Sequence, residues 1–457
     1  MRRKKQITAL ALSAVLALAG CGSTAQTSEP APAPEAESKV EAPAAETVSQ
    51  EASEAPAEEK ELEGELVYWS MWNDTEPQGE VWQEIIDGFM EKHPKVKVTV
   101  QWCGRDNKKI LKPAMEGGET IDVFEYPFEI DLNEYVLDLT PYVDKVYDTT
   151  DGKPFQDTLI PSLLITPKTM TGQTDILPAV GYKPWMSLFM YNKAIFEEAG
   201  VTAEPKTWAE LDAACAKIKE AGYSPITFDD AYASWLPGMY LAREKGQEWV
   251  QELVKDTTGE MWKDVAVVNM AKAFEDFAKK GYFDANISGN KWPSGQVDFG
   301  SSKVGMYYNL TGLPTEVADI TGPDFQWGGF SYPDVADGAG RCGKEDPAGC
   351  TLLAVNKNTA DPDLAMEFVA YALSKENDGK MVEHAGTTPA TIETEWPATL
   401  VNMKGAFESV EVPLKSGGDI TSNPDLSPTI SENFIKLAAG QITADEFVAN
   451  MAAAAKQ

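Results

Sequence analysis

The stretch PAVGYKPWMSLFMYNKAIFEEAGVTAEPKTW, Pro178–Trp208, decides how the rest of the chain is read. Met186 to Tyr191 is an apolar, aromatic-rich run of strand length, and a helix-period segment follows from Asn192 until Gly200 supplies a stop. Glu204 and Pro205 lead into Thr207, an N-cap residue with Glu210 three positions on, which predicts a capping box and a second helix. Trp208, Leu211, Cys215 and Ile218 recur at spacings of three and four, the core stripe of that helix, and Gly222 closes it.

Upstream, Glu65 to Ser70 reads as a strand, Gln78 to Lys92 as a helix ended by Pro94, and Val96 to Trp102 as a strand with alternate residues inward. A second helix carrying Ile110, Leu111 and Met115 runs to Gly117-Gly118, with Pro113 predicting a kink or break in it, and Ile121 to Phe124 opens a third strand. Strands alternating with helices imply a parallel sheet, because parallel neighbours need crossover connections. Ligands of such sheets lie beyond the carboxyl ends of the strands, which nominates the loops Trp72–Glu76, Trp102–Asn107 and Glu125–Tyr126. Downstream, Thr443 and Glu446 repeat the capping-box pattern before the last helix.

Several short runs in this order resemble the extracellular solute-binding lipoproteins of bacterial ABC importers, the carbohydrate-binding group related to maltodextrin-binding protein. They are Tyr68-Trp69-Ser70, His93-Pro94, Gly117-Gly118 with Asp122-Val123, then Tyr191-Asn192, Phe196, Gly200, Pro205 and Thr207-Trp208, with the YYNLTG segment and Gly386–Ala390 later. The resemblance implies an α/β, two-lobed periplasmic-binding-protein-like fold of type II with a ligand cleft between the lobes. It further implies a first lobe of 64–178 plus 350–385 and a second of 179–349 plus 386–457.

The N-terminus carries an address. Arg2, Arg3, Lys4 and Lys5 precede the apolar stretch Ile7–Ala19, too short to span a bilayer, so residues 1–20 read as a signal peptide. Leu18-Ala19-Gly20-Cys21 matches a lipobox, predicting lipidation of Cys21 and attachment to the outer face of the cytoplasmic membrane. Residues 21–63 follow as a tether rich in Ala, Pro and Glu, with 11 Glu against 2 Lys from Gly22 on. It lacks the apolar content to fold alone and is extended by its own charge, as suits a Gram-positive cell surface.

The 457 residues, 43% hydrophobic, are enough for two lobes. A net charge of −33 argues against nucleic acid as a partner. The expected partners are a small carbohydrate ligand and the permease subunits of an importer, with the protein itself a monomer that needs no cofactor or metal. Cys342 and Cys350 flank GKEDPAG, a spacing suited to a local disulfide outside the reducing cytosol.

Enzymatic chemistry finds little support. There are two histidines, His93 and His384, both at helix ends where a structural role suffices, and no nucleophile-elbow, H-E-x-x-H or Walker segment occurs. Asp229 and Asp230 are the best candidates for an acid pair of glycoside hydrolysis, but a ligand-hydroxyl or cation contact explains them better, and an ordinary loop turn better still. Binding is better supported. A sugar presents apolar C–H faces and rim hydroxyls, so its site needs flat aromatic rings beside planar polar groups. Trp72 with Asn73 and Asp74, Glu125 with Tyr126, Tyr182 with Trp185, Asp230 with Tyr232 and Trp235, and Asn309 meet that description; Trp69, Trp102 and Trp208 read as core. A cationic solute such as a polyamine, boxed by aromatics and by Asp229, Asp230 and Glu125, is the alternative ligand. A surface glycosidase is the alternative class.

Overall fold

The computed structural model describes residues 61–127, 130–335, 338 and 342–456. The signal peptide, Cys21 and the tether as far as Lys60 lie outside the described residues. The end of the expected tether is already structured: β1 (Glu63–Ser70) starts at Glu63, and Glu61 pairs with Lys95 at 2.6 Å.

The first three strands form as the hydrophobic pattern dictates. β1, β2 (Lys95–Trp102) and β3 (Val123–Glu125) are parallel, with β1 between the other two. The crossover helix α1 (Pro77–Lys92) buries Val81, Ile85, Ile86 and Phe89. The crossover α2 (Asn107–Glu116) continues through Pro113; of the two outcomes expected there, the break does not occur. Pro113 and Lys109, whose carbonyl loses its partner, both lie on the exposed face, where water can satisfy that oxygen.

The organising stretch is one long strand, β4 (Val180–Asn192), six residues longer at its start than its apolar run suggests. It tolerates Pro184 because its pairing with β8 (Glu345–Val355) shifts register between Tyr182 and Trp185, so no ladder bond is lost there; Lys183 takes φ 48° at that bulge. The first half of β4 pairs with β8, and the second half pairs with β6 (Val304–Leu310) and β7 (Trp327–Phe330). Among the described residues the sheet order is β2-β1-β3-β8-β4-β6-β5, with β5 being Ser224–Thr227 and β9 (Val412–Leu414) alongside β8. Asn192 caps the short helix Lys193–Glu198, and the Thr207–Glu210 and Thr443–Glu446 capping boxes are both formed.

Two main cores flank this shared ribbon. One gathers side chains from Leu66 to Tyr182 and from Cys350 to Ala390; the others draw on Met186 to Ala348 and on residues from Leu400 onward. The change of core falls on the β4 bulge and on its partner Gly349. Leu211, Cys215 and Ile218 are fully buried, and Trp208 stacks on Phe277 at 4.7 Å.

The expected disulfide is absent: Cys342 and Cys350 are free. Most of the intervening GKEDPAG is strand rather than loop, and extension at about 3.3 Å per residue carries the two thiols into different surroundings. Cys350 sits against Gly181 in the first core, whereas Cys342 lies beside the Ser331 carbonyl.

Candidate functional site: a cavity at the strand ends

Past the carboxyl ends of β1, β2 and β3 lies a cavity of about 350 Å³. The β1 loop contributes Met71 and Trp72, the β2 loop Arg105 and, at the start of α2, Asn107 and Lys108, and the β3 loop Tyr126 and Pro127; Lys183 and Trp185 enter from the β4 bulge and Thr351 from β8. All three nominated loops therefore meet at one place.

A buried hydrogen-bond network supports the floor. Glu125, 1% exposed, accepts from Ser70 Oγ at 3.2 Å and from the Met71 N–H and the Tyr182 hydroxyl. Burial pushes its carboxyl pKa up, with those bonds opposing the shift, and burial and then Glu125 push the Tyr182 hydroxyl up. Tyr182 Oη also accepts from Trp72 Nε1 at 2.8 Å and Trp82 Nε1 at 3.3 Å. Glu125 and Tyr182 thus brace the wall from behind instead of facing a ligand.

Trp72 borders the cavity without the open stacking face its position suggests. It is 4% exposed, and Arg105 Cζ and Lys183 Nζ each lie 4.7 Å from its ring centroid. Asn73 and Asp74 are exposed in the turn before α1, outside the lining. Tyr126 does line the cavity, its hydroxyl accepting from Leu132 N and donating to Asn133 Oδ1, each at 3.1 Å.

Trp185 provides a half-buried ring. Its indole lies across Gly349, where a Cβ would sit 2.0 Å from Cζ2, so the glycine is required for that close approach. Asn107 is the polar group that sequence reading missed. Its Nδ2 donates to the Glu125 carbonyl at 2.8 Å, while Oδ1, on a side chain 2% exposed, has no partner. An orphaned buried acceptor is costly, and Asn107 belongs to the cavity lining, where a small side-chain adjustment would present Oδ1 to a ligand. The strand-end rule reached the loop containing Asn107; the orphaned oxygen itself depends on contacts distant in sequence.

The remaining candidates lie on the β5 and β6 side, away from this lining. Asp229 is buried and accepts from Gly295 N at 2.6 Å, Gln296 N at 3.2 Å and Tyr307 Oη at 2.7 Å. Asp230 pairs with Lys291 at 2.9 Å and accepts from Trp292 N at 3.0 Å, and these partners hold its pKa low against burial. Asp229 is thereby bonded internally, while Asp230 keeps a part-exposed carboxylate paired with an exposed lysine, an arrangement that fits the ordinary-turn reading of this loop. Tyr232 and Trp235 are half-buried and meet edge to face at 4.8 Å. Asn309, paired with Leu188 across the sheet, uses Oδ1 for its neighbour Leu310 N, and its Nδ2 lies beside the Tyr232 and Tyr307 hydroxyls without a well-formed bond.

With this geometry in place, comparison with known proteins is decisive for the family. The profile of bacterial extracellular solute-binding proteins matches residues 72–379. The chain belongs to that family. Its members bind solutes and are not enzymes. A binding protein of Brucella abortus (strain 2308) is 24% identical over 230 residues, 50% of this chain and 54% of its own length. This solute-binding protein thus spans about half the length of the curated relatives it matches. Apo RafE from Streptococcus pneumoniae superposes with a TM-score of 0.65 at 21% identity, covering 86% of this chain and 97% of its own. A family 1 extracellular solute-binding protein from Bifidobacterium longum subsp. infantis gives 0.62 at 20% identity, covering 86% and 98%. RafE in complex with raffinose gives 0.57 at 20% identity, covering 86% and 99%. These likenesses establish the two-lobed solute-binding fold.

Proposed function

We propose that this protein is the extracytoplasmic solute-binding component of an ABC importer, capturing an oligosaccharide by lobe closure and delivering it to the membrane permease. The observation that carries the reading is that the half-buried Trp185 ring and the Asn107 side chain, whose Oδ1 has no partner, line one cavity at the strand ends. A pyranose offers a C–H face to an indole and an O–H donor to an amide oxygen, and the cavity is within the size range of small-ligand sites. Raffinose binding by RafE supports the same solute class.

The lobes would be 64–178 with 350–385 and 179–349 with 386–457, and closure would bend the segments that pass between the cores. The Thr388 hydroxyl, bonded to the Pro184 carbonyl, ties one such segment to the β4 bulge. A monomer held by a lipidated Cys21 on the outer face of a Gram-positive cytoplasmic membrane suits this role. A polyamine is disfavoured, since Asp229 is bonded internally and the lining contains no carboxylate among the described residues.

A thermal-melt screen against mono- and oligosaccharides tests the proposal. A ligand at 100 times its dissociation constant adds about 2.7 kcal/mol to folding stability, which raises the melting temperature readably. A shift confined to one glycan series is expected. No shift with any glycan, together with a shift from another solute class, overturns the carbohydrate assignment.

A further inference from the structure

The chain carries 72 acidic against 39 basic residues, yet among the described residues the cavity lining contains Arg105, Lys108 and Lys183 and no Asp or Glu. This local reversal of charge is concentrated at one side chain. Arg105 is already held by Glu76, with contacts of 2.9 and 3.2 Å, and donates to the Met71 carbonyl at 2.7 Å. Lys183 has no such countercharge: among the described residues no carboxylate is within ion-pair distance, and Nζ rests over the Trp72 ring. It occupies a left-handed backbone conformation at the bulge, disfavoured for a lysine, where the chain passes between the two cores. Burial, and then the nearby Arg105, hold its ammonium below the usual lysine range, with Glu125 and Glu76 opposing the shift from beyond ion-pair distance.

Resting on the carbohydrate reading above, we infer that the solute is an acidic carbohydrate whose carboxylate, of uronic-acid type, pairs with Lys183. Its ring then lies on Trp185, and one of its hydroxyls donates to Asn107 Oδ1. A monoanion matches the one ammonium of the lining that has no ion pair among the described residues, whereas the dianion of a sugar phosphate would call for a second such cation. Trp72 supports the site by holding the ammonium in place before the ligand arrives.

The test is calorimetric titration of the full chain with galacturonate, glucuronate and sialylated oligosaccharides, each beside its methyl ester, with neutral glycans and sugar phosphates as separate arms. An acidic glycan is expected to bind about tenfold or more tightly than its own methyl ester, because the ester removes one charge-assisted bond. Lys183→Met should make acid and ester equal. Lys183→Asn, which tolerates the left-handed backbone better, should do the same if the methionine variant misfolds. Neutral glycans that bind while the acids gain nothing would overturn the inference and leave the carbohydrate proposal standing. Preference for sugar phosphates would overturn the carboxylate assignment. Failure of every glycan, acidic or neutral, would remove the carbohydrate reading together with this one.

Discussion

Arg243 and Asp346 form an ion pair in which neither side chain is exposed, and Arg243 also donates to the Tyr332 carbonyl at 3.0 and 2.9 Å. Arg243→Met leaves a charged carboxylate buried and should cost about 3–5 kcal/mol, measured as a lower urea midpoint. Adding Asp346→Leu should restore much of that loss, since an apolar pair needs no countercharge. Glu125 gives a pH-dependent prediction. Burial raises its folded pKa above the unfolded value, so its contribution to stability is present at low pH and is lost as pH rises through the folded pKa. Glu125→Gln removes that dependence, so its melting temperature relative to wild type should climb from acid to neutral pH. A parallel fall in both proteins would contradict the assignment. At this scale sequence is a partial guide. Trp185 was recognisable as an aromatic beside a strand, but the covering of Trp72 by Arg105 and Lys183, and the missing partner of Asn107, arise only from contacts between separate loops.

Among the elements, capping chemistry was the most readable feature because it is local: Thr207 accepts from Glu210 N at 3.3 Å, and Glu210 returns the bond to Thr207 N at 3.0 Å. Thr207→Ala should destabilise the protein by about 1 kcal/mol, read as a lower denaturation midpoint, with solute binding unaltered. Less readable were the extent of β4 and the nature of GKEDPAG. Proline and glycine there suggest loops, whereas a register shift and a stacked indole admit both residues within paired strands. Gly349 has a second consequence. A Cβ at that position collides with Trp185 Cζ2 and Cε2, so Gly349→Ala should displace the ring and weaken solute binding while the remainder of β8 stays paired. Unchanged affinity in a folded Gly349→Ala protein would show that the Trp185 ring is not a binding surface.

For the molecule as a whole, the periodicity of strands and helices made the α/β class legible, and the order of short family-like runs made the two-lobed arrangement legible. What sequence could not convey is that both cores share a ribbon formed by β4 and β8, with the change of core at Trp185 and Gly349. The proposed binding surface therefore sits on the structure that joins the two cores, so ligand contact and lobe closure can be coupled directly. The most direct test is the affinity of the best glycan from the melt screen for wild type, Asn107→Ala and Trp185→Ala, all at matched folded fraction. Each substitution should weaken binding about tenfold or more, through a lost hydrogen bond in one case and a lost stacking face in the other. Affinities that stay within about twofold of wild type for both variants, a difference under about 0.5 kcal/mol, would contradict the account and place the solute elsewhere.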